Sequence, residues 1–523
     1  MTRAKRIIAW GLFALVLMVI SGLLLADHLT PPATGAPSRA LAVRPAQTAL
    51  DRELVPLLAA NPGKSGVLMV PDGLDAFAAR AISARRAGRS LDLQYYIWHD
   101  DLTGRLLGRE AWLAAERGVR VRMLLDDMNA EGLDSKLLLL DTHPNIEIRL
   151  YNPFRNRTGV WRVLELVQRI FSVNHRMHNK AWIADGRVAV VGGRNIGAEY
   201  FSAGEQVNFR DLDLVLFGPV VADASNIFDA YWNSSAAVPL AALTEKHPRE
   251  LQALLVDIGA EARSSEALRY LRRVDASPNV RGYAGRKLTP VWSDRLRVHA
   301  DPPLKWKHDD RSDWLVARLE RMLGGTREKA LLISPYFVPG ADKTRDLVGL
   351  VARGAQVGVV TNSLAANDVV AVHGGYSRYR DDLLRGGVQL YEIRAQARPG
   401  QSADSGTSLF GSSGASLHTK AFVVDDARGF IGSFNLDPRS SDLNTEMGVL
   451  FDDARIARAL RAEYLRLASP ELSYWVFLDP HGDVRWLDRA PRPPLLLGHE
   501  PDTGRLTRAT NRVLAWLPIE SQL

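Results

Sequence analysis

Two segments of this 523-residue chain place a histidine, a lysine and an aspartate at the same spacing. Both segments read H-x-K-x4-D, and they begin 240 residues apart. Their members are His178, Lys180 and Asp185 in the first segment, and His418, Lys420 and Asp425 in the second. An asparagine lies 17 residues after each histidine, at Asn195 and at Asn435. Two copies with the same downstream residue indicate a duplicated half-site rather than a chance match.

The residue types of these segments suit chemistry at a phosphodiester. A histidine can act as a nucleophile or a general acid near neutral pH, and a lysine is a fixed cation for phosphate oxygens. Asn195 and Asn435 are candidate phosphate-binding residues, because an amide can donate to the same oxygens as charge develops in the transition state. If the two copies meet, one histidine attacks the phosphorus and the other protonates the leaving oxygen. The two lysines neutralise the charge, so we expect neither a metal nor a cofactor.

The spacing also predicts how these side chains are positioned. Side chains alternate along a β-strand, so His418 and Lys420 are expected to share one face of a strand. The apolar residues 422–424 are typical of a buried strand, and Asp425 ends that run. The first copy follows the same pattern through residues 181–183. We therefore interpret the two motif aspartates as structural members of the active site, which fix the turn after each strand rather than carry protons.

The paired segments resemble the phospholipase D superfamily, in which two H-x-K-x4-D segments meet in one active site. Longer blocks of the chain are similar to bacterial cardiolipin synthases, most closely those of the C type. The resemblance covers about residues 55–490. The blocks that carry it are residues 93–98, 177–180, 191–197, 361–368 and 431–435.

The resemblance implies a fold class and two further site residues. The implied fold is α/β, with two phospholipase D-like repeats, each a mixed β-sheet flanked by helices, packed with pseudo-two-fold symmetry around one active site. In the superfamily, an acid after each motif orients a catalytic histidine by a hydrogen bond. We assign this role to Asp211 and Glu446, and Asp213 competes with Asp211 for it.

The resemblance also implies a reaction. A membrane-bound phosphatidyltransferase would make cardiolipin from phosphatidylglycerol and a second phospholipid, phosphatidylglycerol or phosphatidylethanolamine, through a phosphatidyl-histidine intermediate. By analogy His178 is the nucleophile and His418 the acid, although the exchanged roles suit the sequence nearly as well. The alternatives are a phospholipase D-type hydrolase, a phosphodiesterase nuclease and a non-catalytic membrane scaffold. Both motif copies are intact, which disfavours the scaffold.

Composition and the first residues of the chain bear on its partners. The absence of cysteine excludes disulfides, zinc–thiolate sites and a cysteine nucleophile, and the net charge of +7 suits a partner rich in phosphate. Residues 7–26 are uncharged and long enough to span a bilayer, and Arg3, Lys5 and Arg6 precede them. We predict a single-pass anchor in the bacterial inner membrane, a catalytic body on the periplasmic side, phospholipid substrates and no nucleic acid. A cleaved signal peptide is the alternative.

The rest of the chain divides into predicted segments, within which strands alternate with helices as in a sheet covered by helices. The segments are the cytoplasmic start and anchor 1–27, a linker 28–50, a first phospholipase D-like half 51–240, a connecting segment 241–310, a second half 311–470, and a C-terminal hairpin with an amphipathic tail 471–523. In the first half the predicted strands are 91–98 and 145–151, with a turn followed by a strand at 117–127, and in the second half they are 329–338, 353–363 and 387–394.

Three segments could contact either a lipid surface or the protein itself. Residues 154–177 are basic and amphipathic, which favours membrane contact. Residues 396–417 are rich in Gly and Ser and are predicted to form a flexible loop, with a lid and a plain surface insertion as equal alternatives. The tail 506–519 combines Arg residues with Val513, Leu514 and Trp516. Membrane contact and packing on the protein's own core are equally compatible with that tail.

Overall fold

The structure, a computed structural model, describes most of the chain after residue 33. The described residues are Trp10, 34–129, 134–154, 156–157, 165, 169, 174–205, 207–244, 259–260, 262–285, 289–395, 417–517 and 520–523. The predicted anchor apart from Trp10, most of the amphipathic segment 154–177 and nearly all of the Gly/Ser-rich segment 396–417 lie outside these residues. No helix in the described part of the chain has the combined length and apolar character that a bilayer span requires.

The first of two mixed β-sheets has, within the described residues, the strand order β8-β4-β3-β2-β5-β6-β7-β1-β9. Strands β2, β3 and β4 run parallel to one another, whereas β5, β6 and β7 are antiparallel to their neighbours. The strands are β1 (Ser65–Val70), β2 (Ser90–Tyr95), β3 (Arg120–Asp126), β4 (Ile146–Tyr151), β5 (Ala181–Ala184), β6 (Val188–Gly192), β7 (Asp213–Phe217), β8 (Ala237–Pro239) and β9 (Val291–Ser293).

The second mixed sheet repeats this arrangement, in the order β10-β16-β15-β14-β11-β12-β13-β17-β18-β19. Its strands are β10 (Leu296–Ala300), β11 (Lys329–Ile333), β12 (Gln356–Asn362), β13 (Gln389–Ile393), β14 (Lys420–Val424), β15 (Arg428–Gly432), β16 (Met447–Asp452), β17 (Ser473–Leu478), β18 (Val484–Asp488) and β19 (Leu495–Leu497). The series β13-β12-β11-β14-β15-β16 is equivalent to β4-β3-β2-β5-β6-β7, with three parallel strands followed by antiparallel ones. The two halves therefore share one topology.

Helices connect and cover these strands. In chain order they are α1 (Ala49–Ala59), α2 (Gly73–Arg86), α3 (Leu102–Glu116), α4 (Asp134–Asp141), α5 (Val220–Trp232), α6 (Ser265–Ala276), α7 (Pro278–Ala284), α8 (Leu315–Gly324), α9 (Gly340–Ala352), α10 (Val370–Arg385), α11 (Ala454–Leu467) and α12 (Arg505–Leu514). Asp101 begins α3 by accepting a hydrogen bond from the backbone N–H of Gly104 at 2.9 Å. Gly118 follows α3 and Gly354 follows α9, both with positive φ, so the equivalent helices end in the same way.

The two sheets face each other across one shared apolar core. Alternate residues of β5 and β14 pack into this core: Ala181, Ile183, Ala421 and Val423. The residues between them pack outward, against the helix-covered face of each sheet: Trp182, Ala184, Phe422 and Val424. A one-residue slip would move every one of these side chains to the wrong face. The core therefore fixes the register of the two strands that follow the motif histidines.

The predicted strands are confirmed, and so is the predicted hairpin, formed by the antiparallel strands β17 and β18. Residues 28–50 were expected to form a linker, but their described part is packed on the protein. From residue 34 onward the chain lies against the first half, where the buried guanidiniums of Arg122 and Arg149 donate to the carbonyls of Ser38 and Ala36. Buried guanidiniums need acceptors, and this extended segment supplies them.

The connecting segment 241–310 also contributes more than a connection. Its strand β9 pairs with β1 at the edge of the first sheet, and its strand β10 pairs with β16 at the edge of the second. A short turn therefore joins the two sheets, with one strand on each side of it. The turn lies at the end of each sheet away from Asp211 and Glu446, because Ser293 pairs at the Phe217 end of the first sheet and Leu296 pairs with Phe451 in the second.

Candidate active site

Backbone contacts between the halves bring the two motifs together. The backbone N–H of His178 donates to the carbonyl of Thr445 at 2.9 Å, and that of His418 donates to the carbonyl of Arg210 at 2.8 Å. We expected both histidines to lie within strands, but β5 and β14 begin only after them. The physical reason is that each histidine N–H is bonded to the opposite half and is not available to the sheet of its own half.

The carboxylates that contact the histidines also come from the opposite half. Nδ1 of His178 lies 2.9 Å from Oε2 of Glu446, and Nδ1 of His418 lies 2.5 Å from Oδ2 of Asp211. These contacts fix the ring orientation, and they leave Nε2 as the nitrogen through which each ring can act on a substrate. All four side chains are buried or nearly so. Both acids predicted from the sequence therefore reach a histidine.

The sequence left Asp213 as an alternative to Asp211, and the structure separates the two. Asp213 lies on β7 and accepts from the buried guanidinium of Arg80 at 2.9 Å. A second guanidinium, that of Arg194, lies 3.5 Å from the same carboxylate. Asp213 is thus a partner of buried arginines, whereas Asp211 is the partner of His418.

The two motif lysines lie beside the histidines. In each motif the lysine ammonium donates to the backbone carbonyl of its own histidine at 2.6 Å, Lys180 to His178 and Lys420 to His418. Burial lowers the pKa of Lys420 to about 8, although Asp211 opposes this shift. Burial and the charge of Lys420 also hold the pKa of Lys180 well below its usual value. The two buried ammonium groups beside the histidines form a binding site for an anion such as a phosphodiester.

The surroundings of both histidines favour the neutral form of the imidazole. Burial and the ammonium groups of Lys180 and Lys420 hold the pKa of His178 well below its usual value. The same causes lower the pKa of His418 to about 3, although Asp211 opposes them. A neutral imidazole keeps the lone pair that a nucleophile needs. A bound phosphate, being negative, would favour protonation of either ring.

The two carboxyl groups differ from each other. Burial raises the pKa of Glu446 to about 7, although the charge of Lys180 opposes it. Burial acts on Asp211 in the same direction, but the contact with His418 and the charge of Lys420 outweigh it and lower the pKa of Asp211. Asp211 is therefore ionised at neutral pH, while Glu446 titrates near it. The two halves of the site are chemically unequal despite their shared topology.

The motif aspartates lie at the far ends of their strands, away from the histidines. Asp185 accepts hydrogen bonds from the backbone N–H groups of Gly88, Arg89 and Ser90. Asp425 does the same for the three residues before and at the start of β11, Arg327, Glu328 and Lys329. Each aspartate follows its histidine by seven positions, which is about 20 Å of extended chain. Their contacts are those of turn-fixing residues.

The two motif asparagines have different surroundings. Asn195 donates to the hydroxyl of Tyr200 at 2.9 Å and accepts from the backbone N–H of Ile97 at 3.2 Å. The side-chain oxygen of Asn435 is buried without a hydrogen-bond partner in the structure. Asn435 therefore has an unused acceptor at the site, whereas the side-chain oxygen and nitrogen of Asn195 are both engaged in holding the loop after β2.

Aromatic residues that the sequence analysis did not single out surround the histidines. The ring of Tyr96 meets that of His178 edge-on, with centroids 4.9 Å apart. The ring of Tyr200 meets that of His418 edge-on at 5.1 Å, and Phe209 stacks on His418 at 5.4 Å. Tyr96 lies within residues 93–98, one of the blocks that carry the family resemblance. That block indicated this part of the chain as important but did not indicate that Tyr96 contacts His178.

A second pair of missed residues positions the motifs through the backbone. Asp126, the last residue of β3, accepts from the backbone N–H of Met177, directly before His178, at 2.8 Å. Asn362, the last residue of the equivalent strand β12, accepts from the backbone N–H of Leu417 at 3.1 Å. Each half thus uses the end of its second parallel strand to hold the residue before its histidine. The sequence feature that could have identified these two residues is a polar side chain at the end of each of two equivalent strands.

Within the described residues, one group of side chains has the types and spacing of possible metal ligands. Ligand atoms of His99, Asp101 and Glu199 lie within 4.8 Å of one another. One oxygen of Asp101 accepts from Gly104 at the start of α3, and the other accepts from the backbone N–H of Ala198 at 2.6 Å. Both oxygens of this carboxylate are therefore used in holding the fold.

Comparison with known proteins agrees with this geometry. The family described as cardiolipin synthase, PLD-like domain, matches residues 82–232 and 319–468, which contain one motif each. Cardiolipin synthase C of Escherichia coli strain K12 is 40% identical over 468 residues, which cover 89% of this chain and 98% of that protein. Cardiolipin synthase B of the same strain is 26% identical over 373 residues, which cover 71% of this chain and 72% of that protein.

The solved structure of a related fold agrees as well. The crystal structure of phosphatidylserine synthase from Haemophilus influenzae Rd KW20 matches with a TM-score of 0.56 at 12% identity, covering 88% of this chain and 96% of that one. At this identity the likeness shows the fold alone. The assignment to a family rests on two other findings. The family matches both halves of the chain, and the identity to Cardiolipin synthase C extends over nearly the whole length of that protein. The chain belongs to the cardiolipin synthase family of phospholipase D-type phosphatidyltransferases.

Proposed function

We propose that this protein makes cardiolipin by transferring a phosphatidyl group to phosphatidylglycerol, from a donor that is either phosphatidylglycerol or phosphatidylethanolamine. The observation that carries the proposal is the reciprocal pairing of His178 with Glu446 and of His418 with Asp211 across the two halves. It makes one site with two imidazoles and two ammonium groups, which is what a double displacement at phosphorus needs.

In the first step of the proposed reaction, Nε2 of His178 attacks the phosphorus of the donor. A P–N bond forms and the P–O bond to the head-group alcohol breaks. His418, which takes up a proton at Nε2 when the negatively charged donor binds, gives that proton to the departing oxygen. In the second step, His418 takes the proton from a hydroxyl of phosphatidylglycerol, whose oxygen attacks the phosphorus. The P–N bond breaks and His178 is regenerated. Water in place of that hydroxyl would give hydrolysis.

The two acids support this division of roles. A proton carrier must pass through the imidazolium form, and an ionised carboxylate at Nδ1 stabilises that form. Asp211 is ionised at neutral pH, because His418 and Lys420 lower its pKa despite burial. Burial raises the pKa of Glu446 to about 7, so His178 has a weaker negative partner and remains the better neutral nucleophile. The nucleophile is therefore assigned to the half that contains His178.

The remaining site residues stabilise charge on the phosphorus oxygens. The ammonium groups of Lys180 and Lys420 are placed to neutralise the non-bridging oxygens, and the amide nitrogen of Asn435 is a candidate donor to the same oxygens. Fixed donors in a buried site act strongly on developing charge. With Asn195 partly engaged by Tyr200, we propose that Asn435 contributes more to phosphate binding.

We further propose that residues 7–26 anchor the protein in the bacterial inner membrane with the catalytic body on the periplasmic side. Their length and lack of charge support a span, and the basic residues before them support a cytoplasmic start. An anchor would keep the catalytic body at its lipid substrates and raise their local concentration. A truncated protein beginning at residue 34 keeps the contacts of the described body, so it should remain active on detergent-dispersed lipid and lose efficiency on vesicles. A mature N-terminus between residues 27 and 37 would contradict the anchor.

The reaction is tested by adding purified full-length protein to vesicles that contain deuterium-labelled phosphatidylglycerol and unlabelled phosphatidylethanolamine. Mass spectrometry of the lipids gives the product, and the released alcohol, glycerol or ethanolamine, identifies the donor. Cardiolipin with either alcohol supports the proposal. Phosphatidic acid alone would indicate the hydrolase, and cleavage of DNA without any lipid turnover would indicate the nuclease. The double variant His178→Ala with His418→Ala is the control.

A further inference from the structure

Helix α12 packs on the protein with its polar side. Asn511 is buried and lies against Ser377 of α10, and a Cβ atom placed on Gly374 would come within 3.1 Å of the backbone N of Ala515. The carbonyl of Leu517 accepts from the side chain of Arg378 at 3.1 Å. The contact thus depends on close backbone approach and hydrogen bonds. It uses few of the apolar side chains of the helix.

The apolar side of the same helix faces outward. Leu506, Val513 and Trp516 are 74%, 63% and 86% exposed, and Leu517 is also exposed. Together with Ala509, these side chains recur at the spacing of one helical face, because the chain continues in helix-like turns past Leu514. We call this face the outward apolar face of α12. A globular protein normally turns such a face inward, so its exposure indicates an interaction surface.

The charges beside this face identify what would cover it. Arg505 and Arg512 are exposed on the same side of the helix, next to Leu506 and Val513. Long basic side chains beside apolar ones suit the boundary of an anionic bilayer, where the stems lie in the apolar layer and the heads reach the phosphates. Tryptophan, here Trp516, is enriched at that same depth. A protein partner would not require this combination.

The same segment continues to the rim of the active site. The residues after α12 reach Arg439, whose backbone N–H donates to the carbonyl of Leu523 at 2.8 Å. The side chain of Asn174, four residues before His178, donates to Gln522 at 2.8 Å. Arg439 in turn lies four residues after Asn435 of the second motif region. A surface bound by α12 would therefore lie beside the mouth between the two halves.

We propose that the outward apolar face of α12 inserts into the surface of an anionic phospholipid bilayer and holds the active-site mouth against it. This inference rests on the proposed lipid function, and it adds a second membrane contact to the anchor. The face would work as an interfacial helix lying in the plane of the membrane, not as a span. Its role would be to set the orientation of the catalytic body, which a single attachment at residues 7–26 does not fix.

The absence of cysteine makes a direct test possible, because one introduced cysteine labels one position. Full-length Val513→Cys carries an environment-sensitive fluorophore, and full-length Leu268→Cys is the matched control on α6, where Leu268 is 45% exposed. Both proteins are placed in vesicles of phosphatidylcholine with and without phosphatidylglycerol, containing a lipid with a nitroxide in its acyl chain. We expect the label at position 513 to be quenched, more strongly with phosphatidylglycerol, and the label at position 268 to remain unquenched.

Three results would overturn the proposal. They are no quenching at position 513, equal quenching at both positions, and energy transfer between two differently labelled 513 proteins without lipid, which would assign the face to a second copy of the chain. The same measurement on the His178→Ala protein is independent of turnover. Lipid contact without cardiolipin formation would leave the docking face standing and contradict the proposed reaction. Cardiolipin formation without lipid contact at position 513 would support the proposed reaction and contradict the docking face.

A functional arm completes the test. Val513→Asp with Trp516→Asp should lower turnover on anionic vesicles by about tenfold or more, because two apolar side chains of this size contribute at least that much to interfacial binding. Turnover on detergent-dispersed lipid should stay unchanged. The control pair Leu268→Asp with Leu465→Asp replaces apolar side chains of comparable exposure elsewhere and should change neither. Equal losses in the two double variants on vesicles would contradict the assignment to α12.

Discussion

His178 and Glu446 are 268 positions apart and belong to different halves of the chain, yet Nδ1 of the histidine lies 2.9 Å from Oε2 of the glutamate. His418 and Asp211 form the reciprocal pair across 207 positions. Neither half can therefore build a complete catalytic dyad from its own residues. The active site exists only when the two sheets pack against each other, so its geometry and the interface between the halves are one structural feature.

Replacing either motif histidine by alanine should abolish most of the activity. His178→Ala removes the proposed nucleophile and His418→Ala removes the proton carrier, and losses of about 10² to 10⁴ in kcat are expected for general acid–base roles. Cardiolipin formation by purified protein is the measurement, with circular dichroism to show that both variants are folded. Near wild-type rates in both variants would contradict the two-histidine mechanism.

The neighbouring acids Asp211 and Asp213 should give opposite phenotypes. Asp211→Asn leaves His418 without an ionised partner, so kcat should fall while the melting temperature changes little. Asp213→Asn leaves Arg80 and Arg194 buried with a neutral partner, so stability should fall by about 3–5 kcal/mol. Comparison of kcat and thermal unfolding for the two variants checks both. A large kcat loss in well-folded Asp213→Asn would reverse the assignment.

The pH dependence of kcat/KM should report on the motif lysines. Burial lowers the pKa of Lys420 to about 8, so its ammonium is charged below that pH and is lost above it. Because phosphate binding requires the charge, kcat/KM should fall on the alkaline side of about pH 8. Lys420→Arg keeps a cation to higher pH, so the alkaline fall should move upward by more than one pH unit, whatever the loss in absolute rate. An unchanged alkaline limb in that variant would contradict the role of Lys420.

Asp425 should matter for stability and not for chemistry. Asp425→Asn keeps a residue that tolerates positive φ but removes the charge that accepts from three backbone N–H groups, so stability should fall by about 1–3 kcal/mol. These hydrogen bonds outweigh burial and lower the pKa of Asp425, so its contribution is present at neutral pH and is lost as pH falls below the usual carboxyl range. Thermal unfolding at several pH values measures both effects. The adjacent Asp426→Asn is the matched control, and an equal loss of stability in it would contradict the assignment.

Activity should survive removal of divalent ions. The proposed mechanism neutralises phosphate charge with Lys180 and Lys420 and routes no step through a metal. Turnover measured after dialysis against EDTA should equal that of untreated protein. Complete loss that is restored by one divalent ion would indicate a metal-dependent phosphodiesterase, and Asp101→Asn would then test the group that includes His99 and Glu199.

The sequence by itself indicated the candidate site residues of this protein and two halves with a similar order of elements. The H-x-K-x4-D spacing identified the histidines and lysines, and the order of strands and helices predicted two similar halves, because local periodicity reports which residues face a core. The same information placed Asp185 and Asp425 at turns, where their backbone contacts now lie. Spacing within one element is a property of the chain alone, so it can be predicted without knowing the partner.

Only the tertiary structure decided which elements meet. It selected Asp211 over Asp213 as the partner of His418, although the two acids are two residues apart, because β7 turns Asp213 towards buried arginines. It also turned the polar side of α12 towards α10 and the apolar side outward, a choice that the amphipathic pattern left open. A periodic pattern indicates that one face of a helix is apolar and the other polar. Which face is covered depends on contacts between residues that are hundreds of positions apart in the chain, and those contacts are made only when the halves pack together.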